Sequence, residues 1–280
     1  MTVPRTRHRR ALVAVSAGLL LAGLTVHHAA AGPDPAAPLP ERSTAAQERL
    51  DAEIDAYYAD AEGKTGEPLR EALHEIVSDQ STLSYSQVWD ALKETDEDPD
   101  DSGDVVLLYS GRSQAKDTNG GSVGDWNREH VWAKSHGGFG TSTGPGTDLH
   151  HLRPTDVQVN SARGNKDFDN GGSPVSGAPD SSTDGDSFEP RDEVKGDVAR
   201  MVLYMAVRYE GGDGHADLEV NDRVGNGSVP YLGKISVLEQ WHLQDPPDAF
   251  EERRNQVIFE DFQHNRNPFV DHPEWVSEIW

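Results

Sequence analysis

Trp126-Asn127-Arg128-Glu129-His130-Val131-Trp132 is followed, after a Gly- and Ser-rich interval, by Asp148-Leu149-His150-His151-Leu152 and then by Val157-Gln158-Val159-Asn160-Ser161-Ala162-Arg163-Gly164-Asn165. The reading of residues 126–170 decides the fold. The first segment reads as a strand holding an adjacent Glu–His pair. The second reads as a strand that Pro154 stops. A short helix follows, opened by the capping box Thr155-Asp156-Val157-Gln158 and closed at Gly164. The order is therefore strand, long loop, strand, helix. Neighbouring residues of a strand point to opposite faces. Glu129 and His130 can share a site only if the backbone bends or the strand ends there, so irregular geometry is expected near Glu129.

That order brings three chemical groups towards each other. Glu129 offers a carboxylate and Asn160 a neutral amide oxygen, both hard donors suited to a cation such as Mg2+ that keeps several waters. His130 is the side chain best suited to moving a proton near neutral pH. A metal that neutralises a phosphate, beside an imidazole that deprotonates water, makes a phosphodiester hydrolysis site. By itself an adjacent Glu–His pair is common and is usually a surface feature. The joint placement on strand and helix raises these residues above that reading.

The same residues carry a family resemblance. Arg128-Glu129-His130-Val131, Asp148-Leu149-His150-His151-Leu152 and Val159-Asn160 with Arg163 and Asn165 resemble the bacterial endonuclease I and extracellular ribonuclease family, nucleases with a ββα-metal (His-Me) finger. The resemblance extends to Tyr109-Ser110-Gly111-Arg112, to Gly196-Asp197-Val198-Ala199-Arg200 through Arg208-Tyr209, and to Asn265-Arg266-Asn267-Pro268-Phe269. It covers about residues 45 to 280. It implies an α+β fold, with the finger embedded in a mainly helical single domain. It also implies Glu129 and Asn160 on one divalent metal and His130 as general base. The cation would be Mg2+, with Mn2+ or Ca2+ as alternatives. The products would carry 5′-phosphate ends, with little sequence preference in DNA or RNA. In the family an Arg between the finger strands can serve the product phosphate. Here that interval holds only Lys134, so Arg163 or Arg112 is expected to take the role.

The amino terminus reads as a secretory signal over residues 1–31. Arg5, Arg7, Arg9 and Arg10 precede the apolar run Ala11 to Val26, and Ala29 and Ala31 give a small-x-small cleavage pattern. The run is short for a membrane span, so a secreted, extracellular monomer is expected rather than an anchored one. Residues 32–43, rich in Pro and Ala, read as a flexible leader before a nuclease domain at 44–280. Cysteine is absent, so no disulfide can form. The net charge is −24, and loss of four Arg with no acid takes the mature chain to −28. Such a balance argues against a broad basic face for nucleic acid. Residues 126–170, however, hold five basic and five acidic side chains. The site is neutral inside an acidic protein, and a bound metal would make it positive.

Elsewhere the pattern is mainly helical. Helices are expected after Thr44, around Leu69 to Val77, after the Ser84–Gln87 cap, from near Pro190, over Ile235 to Leu243, and over Ala249 to Gln263. Their aromatic residues read as core. Thr95 to Asp104 reads as a solvated acidic loop, because the Gly and distal Glu of a calcium loop are missing. Gly171 to Ser187 reads as an exposed loop. Two rival functions remain at this stage. One is a zinc-dependent phosphomonoesterase using His150 and His151. The other is a non-catalytic acidic, calcium-binding surface module.

Overall fold

A strand, a loop, a second strand and a short helix do follow one another at the centre of the chain, and the other elements pack around them. The structure, a computed structural model, describes residues 44–280. The secretory segment at 1–31 and the leader at 32–43 lie outside the described residues. Three helices come first: α1 (Thr44–Tyr57), α2 (Glu67–Ser78) and α3 (Gln87–Thr95). The expected cap forms before α3, where the Ser84 backbone N–H donates to Gln87 Oε1 at 2.8 Å. The hairpin β1 (Asp104–Val106) and β2 (Ser113–Ala115) leads to β3 (Trp126–His130), β4 (Leu152–Asp156) and α4 (Val157–Arg163). Strands β5 (Asp167–Phe168), β6 (Ser173–Val175), β7 (Ala178–Thr183) and β8 (Ser187–Glu189) form one sheet in the order β5-β8-β7-β6. Then come α5 (Lys195–Arg208), the parallel pair β9 (Glu219–Val220) and β10 (Tyr231–Leu232), α6 (Ile235–Gln244), α7 (Ala249–Val257), α8 (Pro268–Asp271) and α9 (Trp275–Ile279). The fold is α+β. Among the described residues, no helix is long and apolar enough to cross a membrane.

Strands β3 and β4 pair antiparallel in unbroken register from Trp126↔Asp156 to His130↔Leu152. The irregularity expected at Glu129 is therefore not found; the strand instead ends at His130. The second strand also differs from expectation. Residues 148–151 form a turn, and the strand runs through Pro154 to Asp156. The Val131 N–H donates to the His151 carbonyl, and the Val157 N–H to the Asp125 carbonyl. These bonds put the hydrogen-bonded pairs at odd positions of β3, so Pro154 faces Arg128 in a non-hydrogen-bonded pair. The missing proline N–H costs no ladder bond there. The helix cap moves one residue along from the expected box. Asp156 is the cap, accepting from the N–H groups of Gln158 (2.8 Å) and Val159 (3.3 Å). Gly164 ends α4 as expected, at a φ of 62° that a side chain would strain.

Two apolar clusters flank this unit. Trp126, Leu149 and Leu152 join Val88, Leu92 and Ile258 on one side, while Val131, Trp132 and Val159 join α2, α5 and α6 on the other. Helix α5 begins at Lys195, after a 3-10 turn over Asp192–Val194, and not near Pro190. Every one of its residues is buried. Its arginines are paired, with Arg200 Nε 2.9 Å from both Glu251 oxygens and Arg208 Nη1 2.8 Å from Asp213. Helix α7 gives way to a π-helical turn over Ile258–Phe262. The Gly171 to Ser187 segment is no loop but holds the β6–β7 hairpin. Nor is the acidic loop wholly solvated. Asp96 is fully buried, taking Arg153 Nε on one oxygen and Arg254 Nε (3.3 Å) on the other. Such a charge persists inside a protein only when paired.

Candidate active site

The end of β3 and the start of α4 open onto a cleft of about 330 Å³, lined by Tyr85, Trp89, Asn127, Arg128, Glu129, His130, Lys134, Asn160, Arg163 and Asn165 among others. A larger hollow of about 670 Å³ lies elsewhere, lined by Asp60, Glu75 and Asp79 among others, whose charges would repel a phosphate. Size does not choose the site; chemistry does.

Glu129 is buried at the foot of the cleft. The Tyr109 hydroxyl donates to its Oε1 at 2.8 Å, and Arg163 Nη1 lies 3.3 Å from the same oxygen. Burial pushes the Glu129 carboxyl up from its ordinary pKa, and Arg163 and Tyr109 pull it back. With both neighbours on Oε1, Oε2 has no hydrogen-bond partner among the described residues. Asn160 shows the same pattern. Its amide nitrogen donates to Asn127 Oδ1 at 2.8 Å, which turns its own oxygen away from that bond. One carboxylate oxygen and one amide oxygen without partners in the same cleft fit a hard divalent cation that keeps several waters. Among the described residues there is no group of three or more His, Asp or Glu side chains placed to hold a metal.

His130 is almost fully buried. Its Nε2 lies 3.1 Å from the Gly146 carbonyl. A carbonyl only accepts, so Nε2 carries the proton and Nδ1 keeps its lone pair. Burial, then the neighbouring His151, hold the His130 imidazole well below its ordinary pKa, so the neutral base is the resting form at neutral pH. Gly146 has a steric reason to be glycine. A Cβ there would sit 2.6 Å from the Ser142 carbonyl oxygen.

Of the arginines expected at the site, Arg163 lies in it and Arg112 does not. Arg163 is buried, donating to the carbonyls of His130 (3.0 Å) and Val131 (2.6 Å) besides facing Glu129. It braces the strand end and balances the carboxylate. Arg112 is absent from the cleft lining. Half-exposed, it donates to Asp156 Oδ2 at 2.8 Å and so braces the α4 cap. His150 and His151 also lie outside the lining. His150 Nε2 faces Asn265, and His151 Nε2 lies 2.7 Å from the Pro145 carbonyl. Burial draws both down to about 4.

Sequence reasoning missed Asn127, Tyr109, and the surroundings of Arg128. The Arg128 guanidinium packs over the Tyr85 ring at 3.4 Å and the Trp89 ring at 3.9 Å, and its Nη1 donates to the Tyr85 carbonyl. Its Nε is buried without a partner, a condition that costs about 1–3 kcal/mol. Trp89, expected in the core, packs edge-on against Trp126 at its margin and also lines the cleft. The signal that could have exposed it is its position one helical turn beyond the Ser84–Gln87 cap, beside Tyr85.

A carboxylate, an amide oxygen and an oriented imidazole in one cleft can serve hydrolysis, and comparison with known proteins gives the family. The model of the endonuclease I family matches residues 65–274, and the chain belongs to that family. It is a nuclease, an enzyme acting on nucleic acid. The extracellular ribonuclease of Bacillus amyloliquefaciens is 69% identical over 229 residues, which span 82% of this chain and 79% of that protein. The extracellular ribonuclease of Bacillus subtilis (strain 168) is 67% identical over 229 residues, 82% of this chain and 80% of that protein. Neither the zinc monoesterase nor the non-catalytic calcium-binding module is supported.

Proposed function

We propose that the chain is a secreted, metal-dependent nuclease, acting as a monomer, that hydrolyses phosphodiester bonds of DNA and/or RNA with little sequence preference. The unit β3–loop–β4–α4 is read as a ββα-metal (His-Me) finger. The observation that carries the reading is His130, with Nε2 committed to the Gly146 carbonyl and Nδ1 free, beside partnerless oxygens of Glu129 and Asn160. The names of the two relatives put RNA first among substrates to test.

Glu129 and Asn160 would hold Mg2+, with Mn2+ or Ca2+ as substitutes. The bound cation supplies positive charge where the phosphate gains negative charge. His130 Nδ1 accepts a proton from a water molecule as the water oxygen bonds to phosphorus. The bond from phosphorus to the 3′ oxygen breaks, and that oxygen takes up a proton. The products are a 5′-phosphate and a 3′-hydroxyl. Gly146 holds the imidazole in the required tautomer, Arg163 and Tyr109 keep Glu129 in place, and Asn127 turns the Asn160 oxygen outward.

The test is digestion of plasmid DNA and of RNA by the purified chain, with and without EDTA. Glu129→Gln is preferable to Glu129→Ala, because its amide oxygen can still accept from Tyr109 and Arg163 while the charge on the metal-facing oxygen is removed. EDTA should abolish cleavage and Mg2+ restore it, and Glu129→Gln should weaken Mg2+ affinity in calorimetry. His130→Ala should lower the single-turnover rate by about 10²–10⁴-fold while substrate still binds. Near-wild-type cleavage by His130→Ala would remove His130 as the base.

A further inference from the structure

The cleft contains three cations, and they are not equivalent. Arg163 is committed to Glu129 and to two backbone carbonyls. Lys134 is exposed at the rim, with no hydrogen bond or ion pair among the described residues. Arg128 differs from both. Two aromatic rings lie against its guanidinium, and one nitrogen, Nη1, is tied to the Tyr85 carbonyl. No carboxylate pairs with it, and its Nε and Nη2 have no acceptor among the described residues. An arginine that merely stapled Tyr85 and Trp89 to β3 would gain from a carboxylate partner, and a chain with 49 acidic residues supplies none here.

The seat also touches the proposed base. The Tyr85 ring that lies under Arg128 is stacked towards the His130 imidazole, with centroids 5.9 Å apart and planes 28° apart. Arg128 therefore stands next to the proposed proton-accepting group with its plane fixed and Nη2 without a partner among the described residues. A planar guanidinium with free N–H groups matches the oxygens of a phosphate, and aromatic stacking orients it without consuming those donors.

We propose that Arg128, seated on Tyr85 and Trp89, is the residue that grips a backbone phosphate of the nucleic acid in the cleft. Tyr85 and Trp89 are its positioning residues. This rests on the nuclease reading above, and it assigns to Arg128 the phosphate contact for which sequence suggested Arg163 or Arg112.

The test measures binding of a single-stranded RNA oligonucleotide and of a DNA duplex at fixed Mg2+, in the His130→Ala background so that nothing is cleaved. Arg128→Ala should lower affinity at least 10-fold at low salt. It should also flatten the dependence of log affinity on log salt by about 0.7 for the single strand and about 0.9 for the duplex, the share of one phosphate. Arg128→Lys keeps the charge, so its slope should stay at the parent value while affinity falls. Trp89→Leu should behave likewise, since it removes one ring and no charge. Urea midpoints establish that each variant is folded; if Arg128→Ala is not, the Lys and Leu variants still decide. An Arg128→Ala protein with parental slope overturns the proposal, because a merely structural arginine would leave the phosphate count unchanged. Full affinity in both Arg128→Lys and Trp89→Leu overturns it as well. Failure of the wild-type chain to cleave nucleic acid would sink the nuclease reading instead, and it is read in the separate digestion assay.

Discussion

At the scale of single residues, burial sets the chemistry of the imidazoles. His130, His150 and His151 are all held below their ordinary pKa by removal from water. The folded chain therefore resists protons that the unfolded chain accepts. Stability from a neutral buried His is complete above the unfolded value near 6.5 and is lost as pH falls towards the folded value. For His150, at about 4, the window runs from about pH 6.5 to 4. Relative to His150→Gln, the wild-type chain should lose up to about 3 kcal/mol across that window, read from urea midpoints at several pH values. A constant difference would mean His150 titrates normally. In the same titration, if His130 is the base as proposed, kcat/KM should stay flat through neutrality and decline only well below pH 6.5, because burial holds its imidazole well below the ordinary value. Glu129, His130 and Asn160, singled out in the sequence by their chemistry, do line one cleft. Arg112 was misplaced because a side chain so close to a helix cap finds the Asp156 carboxylate first.

At the scale of elements, α4 is the part on which the site most depends. Its seven residues are too few to be stable alone. Its start relies on Asp156, which caps two N–H groups with one oxygen and holds Arg112 with the other. Asp156→Ala should cost about 0.5–2 kcal/mol, the usual value of a cap, and should weaken Mg2+ binding through Asn160. Asp156→Asn still caps but gives up the charge opposite Arg112, so it should recover most of the stability. Urea denaturation with a calorimetric Mg2+ titration of both variants separates the two functions. If Asp156→Ala binds Mg2+ as tightly as wild type, Asn160 does not depend on the cap. The sequence marked both ends of this helix to within a residue, because caps are local. It misjudged Pro154, since whether a proline can stay in a strand depends on which edge its nitrogen faces, and only the pairing with β3 decides that.

At the scale of the whole molecule, charge opposes the substrate. With a net charge of −24, few cations are free to meet phosphates, and in the cleft only Arg128 and Lys134 lack acidic partners among the described residues. Two phosphates neutralised imply a slope of log affinity against log salt of about −1.4 for a single strand and about −1.8 for a duplex. Fluorescence anisotropy with the inactive His130→Ala protein at fixed Mg2+ gives this slope. A value steeper than about −4 would require a basic face that the cleft does not contain.

The sequence by itself determined the order strand, loop, strand, helix, the helix ends, which carboxylate, amide and imidazole come to one cleft, and the charge against which the substrate must bind. All of these follow from backbone preference and side-chain chemistry within a few residues of each position. The tertiary structure decided what each arginine does. Arg163 turns inward to Glu129, Arg112 is held by the α4 cap, and Arg128 rests on two rings, that of Tyr85 lying 43 residues away in the chain. A guanidinium goes where packing and pairing offset its desolvation, and those partners are brought together only when the chain has folded.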